Sequence, residues 1–316
     1  MGLLSSLFGG KQSAEELKEK QDQKNFEILK YDGMRARNIR RIDYAIKCFE
    51  EALAIKEDTE TCAMLASTYL QAGKIEEAKA ILEKVTEKEP ENTNALISLA
   101  GVCFLLEDYT QMQKICEKAI ACDGNNAMAY YLAGKANKSL GNGIQSIVML
   151  SKALAQKEDF LEAYQLRAEV LAEMNQADES KKDIEKILTM DENNEEALLL
   201  KGEILIKKES WEEATQVFST ILSLNPFCEK AYILKAEIMI KQGNNKAAIA
   251  IYDEAIELSG DNAKLFEERG RAKLLDGDKE GSMADAKKAM ELNPEKENEI
   301  SEKFNGINTN SAASIY

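Results

Sequence analysis

The residues that most often perform catalysis or bind metals are not arranged for either task in this sequence. The 316 residues include six cysteines and no histidine, so the commonest general base is missing, as is the usual activator of a serine or cysteine nucleophile. The cysteines lack the paired spacing of metal ligands, and a zinc site that combines cysteine with histidine is impossible. No glycine-rich phosphate loop follows a strand pattern. We therefore expect no enzymatic activity, no metal and no cofactor.

Charged residues do recur at a fixed interval. Glu169, Glu203 and Glu237 are each 34 residues apart, and aliphatic residues stand at constant offsets from them. A carboxylate on an aliphatic strip can bind a cationic, partly apolar segment, because the aliphatic groups supply burial and the carboxylate supplies orientation. The chemistry that these residues offer is recognition rather than bond breaking.

The same interval runs through most of the chain. The three prolines, Pro90, Pro226 and Pro294, are separated by multiples of 34 residues, and 34 residues is the period of a two-helix repeat. With proline at position 32, seven units follow one another without insertion or deletion, after a first unit that is one residue shorter. The eight units begin at Phe26, Thr59, Thr93, Ala127, Leu161, Glu195, Glu229 and Ala263.

Each unit has the pattern of two helices joined by a turn. Apolar residues recur at helical spacing before and after position 15, where four units have a glycine suited to end a helix in a left-handed conformation. Position 8 is glycine or alanine in every unit, so two helices must approach closely there. Position 20 is also small in every unit except the third, where it is Met112.

This pattern resembles the tetratricopeptide repeat family. The clearest unit has the family's residue types at Leu65, Ala66, Tyr69, Gly73, Ala78, Leu82 and Pro90. The resemblance implies an all-α fold, a right-handed α-solenoid of eight tandem helix-turn-helix units over residues 26–296. We expect a flexible start and a polar helix over residues 1–25. Over residues 297–316 we expect a capping helix, in which Ile300 and Phe304 cover the last repeat, and a disordered tail.

One face of each first helix is left for a partner. Positions 2, 5, 9 and 12 lie along that face, and the resemblance implies that it lines a concave groove in which segments of other proteins bind. The predicted groove residues are Leu70, Ile97, Phe104, Tyr131, Lys135, Lys138, Glu169, Leu199, Glu203, Ile206, Ile233, Glu237 and Ile240. We therefore predict a non-enzymatic scaffold or adaptor whose partners are other proteins, bound through an amphipathic or partly cationic peptide segment.

The charged groove residues have a second interpretation. Position 7, usually leucine in the family, is Arg167, Lys201, Lys235 and Arg269 in the last four units. The three periodic glutamates can pair with the first three of these basic residues across adjacent units, in a structural ladder worth little per pair. The tyrosine and lysines of the fourth unit can equally be a packed aromatic ring and solubilising charges. The sequence alone leaves these alternatives open.

Charge and cysteine positions limit the class of partner and the compartment. The net charge of −15 opposes a nucleic-acid backbone, so we expect no nucleic acid partner. Cys62, Cys103 and Cys116 fall on core positions of the repeat and indicate buried thiols in a reducing compartment, the cytoplasm. Residues 1–10 are too short to span a membrane. Gly2 and Ser6 match a minimal myristoylation pattern, so the alternative function is a membrane-tethered assembly factor that uses this apolar start.

Overall fold

Helices make up the regular structure of the chain. The computed structural model describes residues 14–305, and within that range it contains seventeen α-helices, one 3-10 helix and no strand. The predicted all-α fold of tandem helix pairs is confirmed. The predictions for the apolar segment 1–10 and for the disordered tail, from Gly306 onward, lie outside the described residues.

The helices follow one another in pairs. The α-helices are α1 (Ala14–Asn38), α2 (Ile42–Ile55), α3 (Thr59–Gln71), α4 (Ile75–Lys88), α5 (Thr93–Leu105), α6 (Tyr109–Cys122), α7 (Ala127–Ser139), α8 (Gly143–Gln156), α9 (Leu161–Glu173), α10 (Ala177–Met190), α11 (Glu195–Lys207), α12 (Trp211–Leu224), α13 (Glu229–Lys241), α14 (Asn245–Ser259), α15 (Ala263–Leu275), α16 (Lys279–Leu292) and α17 (Glu297–Asn305). From α3 to α15, each odd-numbered helix begins at the first residue of a 34-residue unit. Helix α1 is longer because its polar N-terminal part continues into the first unit without a break.

The small residue at position 8 lets the two helices of a pair touch. In the fourth unit a Cβ atom added to Gly134 would lie 2.6 Å from Cγ of Leu150. Leu150 is at position 24 of the unit, in its second helix. Gly202 meets the ring of Phe218 in the same way two units later. Ser146 at position 20 donates a hydrogen bond of 2.8 Å to the carbonyl oxygen of Gly134. The predicted close approach is therefore present, and it is locked by both packing and a hydrogen bond.

Every unit ends its first helix with a left-handed residue at position 15. The four glycines expected there have φ between 73° and 90°. The other four units place a residue with a side chain in the same conformation, at Arg40, Glu107, Asn175 and Glu209, with φ between 56° and 59°. The next amide closes the turn onto the helix, as where Asp108 N donates to the carbonyl oxygen of Cys103 at 2.9 Å. The repeat thus imposes this backbone conformation whatever residue stands there.

The chain divides into two compact units, residues 1–163 and 164–316. In the first compact unit, a buried cluster that includes Leu82, Leu99 and Met112 joins neighbouring helix pairs. In the second compact unit, Phe218 belongs to one such cluster and Tyr252 to the next. Each cluster draws on more than one pair because a single pair cannot bury its own apolar face.

A short helix covers the last pair of the second unit. Ile300 and Phe304 of α17 are 2% and 6% exposed and pack with Ala286 and Ala289 of α16. Lys303 extends from the same helix to the carboxylate of Glu267 at 2.8 Å. The predicted capping helix is therefore observed, with the two apolar residues in the expected place.

Five of the six cysteines are buried, and Cys122 is exposed. No cysteine is in a disulfide. Burial raises the pKa of the Cys103 thiol to about 11 and that of the Cys116 thiol to about 12, because a thiolate there would lose its hydration. These side chains are therefore neutral, apolar core groups, as their repeat positions predict.

Candidate functional site

The first compact unit has an apolar depression of about 500 Å³ where α3, α5 and α7 lie side by side. The side chains along it come largely from positions 5, 9 and 12 of successive first helices. Its lining residues include Ala63, Ser67, Leu70, Gly101, Phe104 and Lys135, with Leu82 of α4 also contributing. Leu70, Phe104 and Lys135 of the predicted groove are thus brought together, although they belong to three different repeats. We call this site the apolar depression.

The basic and aromatic residues near the depression divide into two contacts. The ammonium group of Lys135 lies 3.7 Å from the centre of the Phe104 ring, a cation–π contact. Tyr131 packs instead against Phe160, with ring centres 5.0 Å apart. Ile97 and Tyr131 are half-buried against the core cluster of the first unit. Lys138 is half-buried on the same helix as Lys135.

The second compact unit carries the other seven predicted groove residues, all of them half-buried. Leu199 and Ile206 of α11 pack on the cluster around Phe218. Ile233 and Ile240 of α13 pack on the cluster around Tyr232 and Tyr252. Each aliphatic pair brackets a glutamate on its helix, at spacings of three and four residues. We call the surface formed by Leu199, Glu203, Ile206, Ile233, Glu237 and Ile240 the acidic face.

The periodic glutamates have different environments. Glu203 forms an ion pair of 2.6 Å with Lys230, and Glu169 accepts a hydrogen bond of 3.2 Å from Nε2 of Gln165. Glu237 makes no hydrogen bond or ion pair within residues 14–305. Burial, followed by repulsion from Glu268, raises the pKa of the Glu237 carboxyl above the usual range. Glu237 is therefore the carboxylate of the acidic face that would gain most from an added cation.

The basic residues at position 7 do not form the ladder that the sequence left open. In the described part of the chain, Lys201 and Lys235 make no ion pair, and Arg167 donates from Nε and Nη2 to both carboxylate oxygens of Asp183, at 2.8 and 2.6 Å. Arg269 holds Asp285 in the same way, at 2.9 and 2.6 Å. Where position 7 is arginine, it thus pairs with position 23 of its own unit, while Glu203 at position 9 pairs with Lys230 of the next unit.

Two features escaped the sequence analysis. The arginine–aspartate pairs have a visible signal, since the two residues are 16 apart in both units that have arginine at position 7. The second feature is a cluster of four arginines at the turn between α1 and α2 that make no ion pair within residues 14–305: Arg35, Arg37, Arg40 and Arg41. It holds four of the seven arginines of the chain within seven residues, which a count along the sequence would have revealed.

Comparison with known families agrees with this geometry. A sequence model described as tetratricopeptide repeat matches residues 161–194 and 229–262, which are the fifth and seventh units of the 34-residue frame. The chain is a tetratricopeptide repeat protein. A second model, described as anaphase-promoting complex, cyclosome, subunit 3, matches residues 38–119. A search among curated proteins found no match to this tetratricopeptide repeat protein.

Solved structures share the fold at low sequence identity. A tetratricopeptide repeat protein from Parabacteroides merdae is 20% identical, with a TM-score of 0.62, and the match covers 77% of this chain and 97% of that one. YrrB, described as a tetratricopeptide repeat protein with an unusual peptide-binding site, is 21% identical, with a TM-score of 0.50 and coverage of 61% and 97%. A match to the Cut9–Hcn1 hetero-tetramer is 11% identical, with a TM-score of 0.55 and coverage of 83% and 52%. These likenesses show the fold alone.

Membership in the family gives a broad functional statement. Tetratricopeptide repeat proteins generally mediate protein–protein interactions and are generally non-enzymatic. Within residues 14–305, this tetratricopeptide repeat protein has no group of three or more Cys, Asp or Glu side chains placed to hold a metal ion. Over the same residues, none of its helices combines the length and apolar character needed to cross a membrane.

Proposed function

We propose that this protein is a scaffold or adaptor that binds segments of other proteins on the exposed faces of its first helices. The observation that carries the proposal is the apolar depression, because equivalent repeat positions of α3, α5 and α7 converge on it. A partner's aliphatic or aromatic side chain that entered it would lose its water against Leu70 and Phe104. Full burial of such a side chain is worth about 1.5 to 3 kcal/mol, and a few such anchors account for most of the affinity of a typical interface.

Lys135 adds a polar requirement to the depression. Its ammonium group lies over the Phe104 ring and makes no hydrogen bond or ion pair within residues 14–305, so N–H groups that point away from the ring can donate to a ligand. A carboxylate next to the partner's apolar anchor would accept a hydrogen bond from this group. We therefore propose that the segment bound at the apolar depression combines an apolar side chain with an acidic group or a C-terminal carboxylate.

The acidic face of the second unit suits a different segment. Its four aliphatic residues are half-buried. Glu237 makes no ion pair within the described range, and a lysine or arginine placed between apolar residues of a partner would pair with it more closely than Lys241, Arg271 and Lys264 do. Beside Glu169, the side-chain carbonyl oxygen Oε1 of Gln165 is buried and accepts no hydrogen bond within the described range. We propose that this face binds an amphipathic, partly cationic segment, with the carboxylates providing orientation more than affinity.

The setting of this function is also a proposal. We propose that residues 26–296 form the eight-unit repeat array and that the protein acts in the cytoplasm. The absence of disulfides among its six cysteines supports a reducing compartment. The peptide-binding site named in the description of YrrB supports peptide binding on a similar fold.

Selection from a random peptide library on the immobilised protein tests the first face. We expect the selected peptides to lose at least about tenfold in affinity, or about 1.4 kcal/mol, for the Leu70→Glu variant. Ile144→Glu is the matched control, because Ile144 lies on α8 of the same compact unit and is 71% exposed. Thermal unfolding confirms that both variants fold. Equal affinity of the peptides for both variants and the native protein would contradict binding at the apolar depression.

A charge reversal tests the second face in the same way. Glu237→Lys should abolish the binding of selected cationic peptides, while Glu213→Lys, on the exposed surface of α12, should leave it unchanged. Anisotropy titrations at two salt concentrations measure both affinities. Equal losses for the two variants would show that only net charge matters and would contradict a specific acidic face.

A further inference from the structure

Four arginines form a basic patch on this acidic chain. Arg35 and Arg37 lie in the last turn of α1, Arg40 is the left-handed residue of the following turn, and Arg41 precedes α2. None of the four side chains makes an ion pair or a hydrogen bond within residues 14–305. The remaining arginines of the chain are all paired with carboxylates: Arg167, Arg269 and Arg271. We call the four unpaired residues the arginine turn.

Apolar side chains stand exposed beside these guanidinium groups. Ile39, between the two arginine pairs, is 62% exposed, and Tyr44 in the first turn of α2 is 52% exposed. The local core is complete without them, because Ala36, Ala45 and Phe49 fill it. The arginine turn therefore presents charge and apolar surface together, and both are accessible to a partner.

We propose that the arginine turn binds an acidic segment of a partner protein, which makes it a third docking surface, apart from the two faces of the proposed function. The partner's carboxylates pair with Arg35, Arg40 and Arg41, and its apolar residues contact Ile39 and Tyr44. Guanidinium groups bind carboxylates through two parallel hydrogen bonds. Arg167 and Arg269 show this geometry within the same chain, with donor–acceptor distances of 2.6 to 2.9 Å.

The surroundings of the patch favour a narrow ligand over an extended anionic surface. Asp32 and Glu51 act electrostatically on Tyr44, and Asp43 is exposed beside it. A membrane or a nucleic-acid duplex that reached the arginines would face these carboxylates as well, on a chain with a net charge of −15. A single acidic peptide strand can contact the arginines, Ile39 and Tyr44 without covering the surrounding surface, and charges more than about 8 Å away are largely screened from it at physiological salt.

The test uses the full chain and a short fluorescent peptide in which glutamate alternates with leucine. Anisotropy should show binding that weakens as salt is raised, and the variant Arg35→Gln/Arg40→Gln/Arg41→Gln should bind at least roughly tenfold more weakly, since three exposed ion pairs are lost. The matched control is Lys84→Gln/Lys114→Gln/Lys118→Gln, which removes the same net charge from exposed positions of α4 and α6. We expect it to bind the peptide within about twofold of the native protein.

Three results would overturn the proposal. The arginine variant and the lysine control can lose affinity equally, which would make the effect one of net charge. The arginine variant can bind the peptide as the native protein does. Vesicles that contain phosphatidylserine can bind the native protein while the peptide does not, which would assign the patch to a lipid surface. Because the Leu70→Glu and Glu237→Lys variants leave the arginines intact, failure here is distinguishable from failure of the proposed function.

Discussion

At the scale of single residues, the spacing between paired helices depends on the missing side chain at position 8. Gly134 allows the backbone of α7 to lie against Leu150, and Gly202 allows the same contact with the ring of Phe218. Other units place alanine at position 8, with partners of varied size opposite, from Cys116 in the third unit to Tyr252 in the seventh. The size of the residue at position 24 therefore does not follow from the residue at position 8.

Gly134→Ala should therefore destabilise the protein. The added Cβ would lie 2.6 Å from Leu150 Cγ, and overpacking of this kind costs about 1 to 3 kcal/mol. The control is Gly101→Ala in α5 of the same compact unit, where nothing lies within 4 Å of the added atom. That change should stabilise the helix by about 0.5 to 1 kcal/mol. Chemical denaturation measures both, and equal effects of the two substitutions would contradict the close approach.

At the scale of elements, the turn inside each unit is the most regular feature of the chain. All eight units place a left-handed residue at position 15, although only four have the glycine that avoids a steric penalty there. A residue with a side chain pays roughly 1 to 2 kcal/mol for this conformation. The four units without glycine therefore keep the turn against the preference of their own sequence, because helix packing on both sides fixes it.

Glu107→Gly should accordingly stabilise the third unit. Relief of the left-handed strain outweighs the greater freedom of glycine in the unfolded chain, and we expect a gain of about 0.5 to 1 kcal/mol. The reverse change, Gly141→Ala in the next unit, should cost about 1 kcal/mol. Glu107→Ala controls for loss of the carboxylate and should have little effect. The midpoint of urea unfolding reports each value, and destabilisation by Glu107→Gly would show that the side chain itself holds the turn.

At the scale of the whole molecule, burial divides the cysteines into one accessible thiol and five protected ones. At neutral pH a thiol reagent should modify Cys122 rapidly and leave the other five unreacted, since they are buried and the pKa values of Cys103 and Cys116 lie far above 7. Mass spectrometry of the labelled chain counts the modified sites. More than one rapidly labelled cysteine in the native protein would contradict the burial pattern.

Denaturant should release the protected thiols in two groups. Cys48, Cys62, Cys103 and Cys116 belong to the first compact unit and Cys228 to the second, and stacked repeats need not unfold in one step. The Cys122→Ser variant serves as the control, because it lacks the exposed thiol that would react before unfolding.

Much of the fold was predictable because the sequence pattern that specifies it is local and recurs in every repeat. Any one glycine or alanine is weak evidence, but the same residue type at position 8 in eight successive units leaves little alternative to a helix pair. The capping helix was predictable for the same reason, since Ile300 and Phe304 are spaced to share one helical face. The left-handed conformation of Glu107 and Glu209 was not predicted, because their residue type carries no signal for it.

The candidate site was less predictable than the fold, because it depends on which side chains meet across helices. Sequence spacing alone determined that Leu70, Phe104 and Lys135 share a repeat face, and the tertiary structure decided that they border one depression. The sequence also supplied the periodic charges at positions 7 and 9. Only packing decided that Arg167 turns to Asp183 and Glu203 to Lys230, while Glu237 and the arginine turn keep no partner within the described range. Helical periodicity determines the direction of each side chain, but its partner depends on the neighbouring helix.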